Sequence, residues 1–160
     1  MSDRKLARRA RMLRFGLNIY PPYIGAGVSV QHISPDCREA RVKMVMRWYN
    51  RNFVGTQFGG SLYSMVDPFY MLLLMQLLGN DYIVWDKAAS IDFVSPGKGP
   101  VFADFRIDDA LLETIRARTA NGDKYLPELQ VDIRDAAGTL VASVNKTLYV
   151  RLKPRARQAS

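Results

Sequence analysis

The sequence predicts an α+β domain in which an antiparallel sheet of about six strands wraps around one long central helix. Its 160 residues, 48% apolar and 24% charged, suffice for one packed core and are too apolar for a disordered chain. Several segments alternate apolar and polar residues, which is typical of strands with one wet face. One central segment is apolar nearly all round, as expected of a helix surrounded by protein.

The first strands follow a helical appendage predicted over residues 1–24. In that appendage, apolar residues recur every three or four positions, and two prolines end the helix. These residues are Leu6, Ala10, Leu13 and Leu17, followed by Pro21 and Pro22. A main domain over residues 25–152 then begins with strands at 28–33 and 40–48, joined by a turn at Asp36, with Trp48 expected on the core-facing side.

In the second half of the chain, apolar and polar residues alternate again, as expected of strands. Residues 89–93 and 101–107 are predicted to form a second hairpin around the turn Ser-Pro-Gly-Lys-Gly-Pro. Asp108 or Asp109 is expected to cap a short helix that ends near Ala120. Two further strands are predicted at 129–133 and 139–152.

Charge is concentrated at the ends of the chain. The formal net charge is +8, but ten of the 23 basic residues lie within residues 1–14 and 151–160. We therefore interpret both ends, including the tail 153–160, as solvated and expect no nucleic-acid partner, with anionic lipid or RNA binding as the alternative. The first residues lack the apolar run of a secretory signal, which favours a cytoplasmic protein.

Histidine and cysteine each occur once, as His32 and Cys37. An intrachain disulfide and a zinc site built from several such ligands are therefore excluded, and no metal is predicted. His32 is expected to be a structural strand residue and Cys37 an unreactive residue near a turn.

The segment with most chemical content runs from Asn52 to Asp67. Gly59 and Gly60 open the central helix, whose first amides can polarise a carbonyl oxygen. Asp67 follows two turns later, roughly 11 Å along the axis. Because the helix is apolar, we expect this carboxylate to be buried, and burial would raise its pKa toward that of a working base. Asp67 and Pro68 also interrupt the apolar run, which argues against a membrane span of about 20 residues.

Structural interpretations of the same residues remain open. Asp67 is also well placed to cap a second helix beginning at Pro68, since proline favours a break there. The glycines also suit tight helix packing, and Asn52 and Thr56 suit turns.

Weaker candidates lie outside this segment. Lys98 and Arg106 could meet the phosphates of coenzyme A or be solvated charges. Five methionines suit an adaptable acyl-chain lining or ordinary core filling: Met44, Met46, Met65, Met71 and Met75.

The segment resembles the hotdog-fold thioesterases, particularly the phenylacetyl-CoA thioesterase type. Asn52, Gly59, Gly60 and Asp67 stand at the spacings of that family's motif, with Leu62 and Ser64 agreeing, and Phe58 stands where the family has histidine. The order of elements and the closing segment, residues 129–151, extend the resemblance over about residues 25–152.

The resemblance implies an acyl-CoA or related thioester hydrolase without a cofactor, coenzyme A being part of the substrate. Asp67 would be the general base or nucleophile, the Gly59 amide would polarise the thioester carbonyl, and Asn52 would orient water or substrate. The expected substrate contacts are Gly60, Thr56, Phe58 and Ser64. The resemblance also implies a homodimer whose active sites lie across the subunit interface. Whether two dimers form a tetramer stays open. A hotdog module that binds acyl-CoA or fatty acid without cleaving it is the alternative.

Overall fold

A computed structural model describes residues 3–154, which form five helices and seven strands. In chain order these are α1 (Asp3–Asn18), α2 (Pro21–Ala26), β1 (Val28–Ile33), β2 (Glu39–Met44), α3 (Gly59–Val66), α4 (Phe69–Leu78), β3 (Tyr82–Phe93), β4 (Val101–Arg106), α5 (Asp109–Thr119), β5 (Lys124–Tyr125), β6 (Glu128–Asp135) and β7 (Leu140–Leu152). All strands join one antiparallel sheet in the order β1-β2-β4-β6-β7-β3, and β5 also pairs with β7. The predicted α+β architecture is confirmed.

The core lies between this sheet and the paired helices α3 and α4. Leu62, Met65, Leu73 and Leu74 are almost completely buried there. The Phe105 ring from β4 packs against an α4 ring, that of Phe69, with centroids 4.8 Å apart. Burying such side chains supplies most of the free energy that holds helices to a sheet, about 1.5–3 kcal/mol for each large one.

The central helix is interrupted where the sequence places Asp67 and Pro68. α3 ends at Val66 and α4 begins at Phe69, because Pro68 has no N–H to continue the helical ladder. By length and composition Gly59–Leu78 could cross a membrane, but half of its most apolar window is buried within the protein. It is the core helix that the sheet covers.

The predicted second hairpin is wrong. β3 pairs with β7 at one edge of the sheet, whereas β4 lies between β2 and β6. Residues 94–100 therefore cross between distant strands, and the Val94 and Ser95 amides donate to the Val141 carbonyl on the way. Alternation fixes which side of a strand is buried but not which strand is its neighbour.

Trp48 also departs from its predicted place. β2 ends at Met44, so the period-two pattern that should have carried Trp48 into the core stops four residues earlier, and its side chain is 86% exposed. Asn50 terminates the strand: it is buried, its Nδ2 donates to the Ala26 and Val45 carbonyls, and its Oδ1 accepts from the Arg47 amide. A buried amide that satisfies three backbone groups holds the chain in a turn.

The helical segment before the sheet is confirmed and is firmly attached. Ala10 of α1 is buried, and the Asn18 side chain pairs with both the N–H and the C=O of Val30 on the edge strand β1. The prolines that end α1 also begin α2, where Pro21 occupies a first-turn position that needs no N–H.

We expect Asn50→Ala to lower the free energy of unfolding by about 2 kcal/mol or more, because two buried carbonyls and one amide would lose their partner. Urea unfolding measures this change. The matched control Asn80→Ala removes an exposed amide and should leave the midpoint nearly unchanged. Equal stability of both variants would contradict the role of Asn50.

Candidate active site

A cavity of about 390 Å³ lies beside the first turn of α3. Three residues that the sequence singled out, Asn52, Thr56 and Gly59, line it together. The rest of the lining is mainly apolar, and only Gln57 and Ser95 add polar side chains to it. Its other members are Val54, Leu62, Phe93, Val94, Pro96 and Gly97. The fold thus brings the loop before the helix and the end of β3 around the helix start.

The amides of Gly59 and Gly60 have no acceptor within residues 3–154. Phe58 occupies the cap position of α3 and offers no side-chain acceptor, while its carbonyl receives the next two amides, those of Ser61 and Leu62. Two N–H groups with the positive end of the helix dipole are therefore left for another molecule. This arrangement can stabilise negative charge on an oxygen.

Aromatic rings lie against both glycines. A Cβ atom at Gly59 would come within 2.9 Å of the Phe93 ring, and one at Gly60 would overlap the Phe58 ring. Glycine thus lets both rings lie directly against the backbone at the start of the helix, which agrees with the tight-packing interpretation. Both rings are more than half exposed, so they can move aside for a ligand.

Asn52 is fully hydrogen-bonded inside its own loop. Its Oδ1 accepts from the Val54 and Thr56 amides, and its Nδ2 donates to the Thr56 hydroxyl at 2.8 Å and to the Gln57 carbonyl. This is the geometry of an Asx turn. Asn52 therefore shapes the cavity wall and has no side-chain donor left to orient water.

Asp67 forms a cluster with residues that are distant in sequence. Its Oδ1 accepts from the Tyr63 hydroxyl at 2.7 Å and from the Lys146 ammonium at 2.8 Å. The same ammonium lies 3.0 Å from Oδ1 of Asp86. The other oxygen of Asp67, Oδ2, receives no hydrogen bond from residues 3–154, and 45% of the side chain is exposed. One carboxylate oxygen is thus fixed and the other is available.

Lys146 is the charge on which this cluster is built. It lies on the helix-facing side of β7 with its side chain completely buried. Burial opposes its charge, but contacts with the Asp67 and Asp86 carboxylates outweigh that cost and raise the pKa of Lys146. Burial raises the pKa of Asp86, and Lys146 offsets only part of this effect. Burial and the bond to Asp67 likewise raise the pKa of Tyr63.

The geometry corrects two expectations about Asp67. It is not short of water or without a partner, since it is half exposed and paired with Lys146. Nor does it cap α4: that helix has no side-chain cap bond, and its cap position is Pro68. The carboxylate points to the lysine instead.

Lys146, Tyr63 and Asp86 were not predicted from the sequence as site residues. A signal for the lysine was present, because helix-facing positions of β7 alternate as Ala142, Val144, Lys146, Leu148 and Val150, with one charge in an apolar row. No local pattern marks Asp86, whose place depends on the long-range pairing of β3 with β7 and the register shift that follows it.

The remaining candidates stay apart from the cluster and the cavity. Ser64 is half-buried without a side-chain hydrogen bond to residues 3–154, and His32 is exposed on β1. Burial raises the pKa of the Cys37 thiol, as expected of an unreactive cysteine. Lys98 is exposed, and Arg106 makes a loose surface contact with Glu39.

The methionines do not form one lining. Met44 and Met65 are buried in the core, whereas Met75 is 44% exposed. Residues 3–154 contain no group of three or more His, Cys, Asp or Glu side chains placed to hold a metal ion.

Comparison with known proteins assigns the chain to a family. Residues 8–150 match the family model described as "Domain of unknown function (DUF4442)". The chain belongs to this family. The match spans α1 to β7, so the helix before the sheet is included in it. No curated protein matches the sequence.

Solved structures show that this family member has the hotdog fold. A Pseudomonas aeruginosa protein named as a probable thioesterase has a TM-score of 0.77 at 17% identity, over 89% of this chain and 95% of its own. A Haemophilus influenzae thioesterase has 0.65 at 14% identity, over 88% and 89%. The Escherichia coli PaaI protein, from the phenylacetic acid degradation operon, has 0.65 at 16% identity, over 95% and 97%. At these sequence identities the likeness establishes the fold, and the predicted resemblance to hotdog-fold proteins is confirmed for the fold.

We expect Lys146→Met to lower the free energy of unfolding at neutral pH by about 3 kcal/mol, the low end for breaking a buried ion pair because Asp67 is half exposed. Guanidinium unfolding measures the loss. Lys87→Met, which removes an exposed lysine from β3, is the matched control and should have little effect. Adding Asp86→Asn to Lys146→Met should restore part of the stability.

The same variant should also acquire a distinctive pH dependence. Without the ammonium, nothing offsets the burial that raises the pKa of Asp86, so the folded state holds the Asp86 proton more tightly than the unfolded state does. A raised folded pKa of an acid means that stability falls as pH rises, so the variant should be more stable near pH 4 than near pH 7, relative to the native protein. Parallel stability profiles for the two proteins would contradict this account of the cluster.

Proposed function

We propose that this protein is an acyl thioesterase that hydrolyses acyl-CoA or a related thioester. The observation that carries the proposal is a carboxylate, Asp67, with one oxygen fixed by Lys146 and Tyr63 and the other open, on the helix whose first amides lack acceptors. A base and an oxyanion-binding corner are the two groups that such hydrolysis requires. The thioesterase names of several structural neighbours support the choice of reaction.

In the proposed reaction, the free oxygen of Asp67 takes a proton from water as the water oxygen attacks the thioester carbon. The oxyanion of the tetrahedral intermediate accepts hydrogen bonds from the Gly59 amide, with Gly60 beside it. Collapse breaks the carbon–sulfur bond, and the proton held by Asp67 passes to the leaving thiolate. The products are a carboxylic acid and a thiol. Direct attack by the Asp67 carboxylate, followed by hydrolysis of the anhydride, uses the same residues.

The spacing of these residues requires two subunits in this mechanism. Gly59 begins α3 and Asp67 directly follows it, eight positions later and roughly 12 Å along the axis, whereas reacting atoms must approach to about 3–3.5 Å. One protomer alone cannot place its own Asp67 and Gly59 on the same carbonyl. An antiparallel arrangement of two α3 helices would put Asp67 of one subunit beside Gly59 of the partner subunit.

The edge strand β3 supports such a homodimer. Its twelve residues pair with β7 on one side and with no described strand on the other. Its middle, residues 87–90, is exposed on both faces and includes Ala88 and Ala89, small residues that permit close approach of another strand. A long unpaired edge is a liability that pairing with a second copy removes.

The substrate would enter through an aromatic-rich groove beside the cavity. The cavity at Gly59 adjoins an open groove of about 830 Å³ that shares Asn52 and Val54 with it. The groove also carries four aromatic side chains, those of Trp48, Tyr49, Phe53 and Phe58. An apolar acyl group suits this lining. Coenzyme A would be part of the substrate, with Lys98 available for its phosphates, and the proposed compartment is the cytoplasm.

A non-catalytic acyl-binding module is the second candidate, and one feature favours it. The rings of Phe58 and Phe93 lie directly on the two glycines, with Phe58 at the position of the family histidine. An apolar pair at the helix start favours holding an acyl chain over polar chemistry.

We expect Asp67→Asn to reduce hydrolysis of acyl-CoA substrates by about 100-fold or more while the protein still folds, because asparagine keeps the shape but cannot accept the proton. Release of free thiol from short, long and aromatic acyl-CoAs measures the rate. Asp81→Asn, a change at an exposed carboxylate, is the control.

Thermal shifts with the same acyl-CoAs separate the two candidate functions. A native protein that is stabilised by ligand but releases no thiol would be a binding module. Equal rates for native protein and Asp67→Asn would remove Asp67 from the mechanism.

We expect Ala88→Glu to convert the dimer to a monomer, because two glutamates would face each other near the twofold axis at the centre of β3. Light scattering during size-exclusion chromatography measures the mass, and thiol release should be lost with the dimer. Ala117→Glu on the exposed face of α5 is the matched control. A native protein that is monomeric and active would contradict the shared site.

A further inference from the structure

α1 presents two different faces. Leu6, Ala10, Leu13 and Leu17 lie against the domain. At 100° per residue, the opposite side carries Arg4, Arg8 and Arg11 in its first turns and Met12 and Phe15 further on. Ile19, Tyr20 and Ile24 continue this apolar end onto α2. These five apolar side chains, which we call the apolar tip (Met12, Phe15, Ile19, Tyr20 and Ile24), are each 50–67% exposed.

The segment around the apolar tip is strongly cationic. Residues 4–35 contain six lysines and arginines and no acidic residue. None of the six forms an ion pair with any residue between 3 and 154. Only Arg14 is engaged in a side-chain hydrogen bond, to the Val30 carbonyl. The positive charge of α1 is therefore directed to solvent.

Exposed apolar side chains beside unpaired cations indicate the chemistry of a partner. Nucleic acid would use the arginines, but isoleucine and methionine make no favourable contact with phosphate or stacked bases. An anionic lipid surface binds both the arginines and the apolar side chains, since its headgroups attract arginine while apolar side chains enter the boundary of the acyl region. A solvated tail, the interpretation drawn from sequence, does not account for five exposed apolar residues in one patch.

We propose that the outer face of α1, together with the apolar tip, docks this protein on membranes that contain anionic phospholipid. The arginines at one end of the helix meet the headgroups, and Phe15, Ile19 and Ile24 insert at the other. The inner face of α1 stays packed on β1, so docking needs no unfolding. The proposal does not depend on the reaction catalysed.

Vesicle co-sedimentation of the full chain tests this docking. Phosphatidylcholine vesicles with about one third phosphatidylserine should bind the protein at least tenfold more tightly than phosphatidylcholine alone, and salt should weaken binding. Phe15→Ser/Ile19→Ser and Arg8→Gln/Arg11→Gln should each reduce binding at least fivefold. Arg116→Gln/Arg118→Gln, which removes the same charge from exposed positions on α5, is the matched control. Circular dichroism and melting temperature verify that each variant folds.

Three results would overturn the proposal. The first is absence of binding to anionic vesicles, and the second is equal binding to neutral and anionic vesicles. The third is binding that Phe15→Ser/Ile19→Ser leaves unchanged and that the two arginine double variants, on α1 and on α5, reduce equally. Single-stranded RNA tested under the same conditions distinguishes the remaining partner: RNA binding that survives loss of the apolar side chains, without vesicle binding, would assign the cations to nucleic acid instead.

Discussion

A single buried ammonium group ties the fold of this protein to its candidate chemistry. Lys146 projects from the middle of β7 toward the helices and lies between Asp67, at the helix break, and Asp86, on the edge strand. Three elements far apart in sequence thus meet at one charge. Because an isolated lysine in such surroundings is costly, the strands and the helix break must be correctly placed for the charge to be tolerated. The ion cluster therefore specifies the arrangement as well as the site.

The ion cluster forms at the break between α3 and α4. Pro68 prevents α3 and α4 from forming one uninterrupted ladder, and Asp67 lies at this interruption with its carboxylate turned toward β7. The open glycine amides lie at the other end of α3. A short helix thus has an acid at its end and free N–H groups at its beginning, and this separation is what the proposed two-subunit site rests on.

Local patterns predicted much of the fold, including strands at 28–33 and 129–133, observed as Val28–Ile33 and Glu128–Asp135, and the helix after Asp108. The break before Phe69 was one of two interpretations that the sequence left open. Strand pairing was harder, because a period of two shows the buried side of β3 and β4 but not the neighbour of either. The glycine and aspartate positions were recognisable from their spacing. The partner of Asp67 was not, since a lysine 79 positions away becomes a neighbour only through the sheet.

The central place of β7 also has a consequence for synthesis of the protein. This strand follows every other described element in the chain, yet it pairs with β3, β5 and β6 and supplies Lys146. Until β7 has been made, the sheet that covers the apolar segment Phe-Tyr-Met-Leu-Leu-Leu is incomplete, and β3 has no partner strand within residues 3–154. The apolar face of α4 therefore stays partly uncovered, and Asp67 without its lysine, until the strand that completes the sheet has been made.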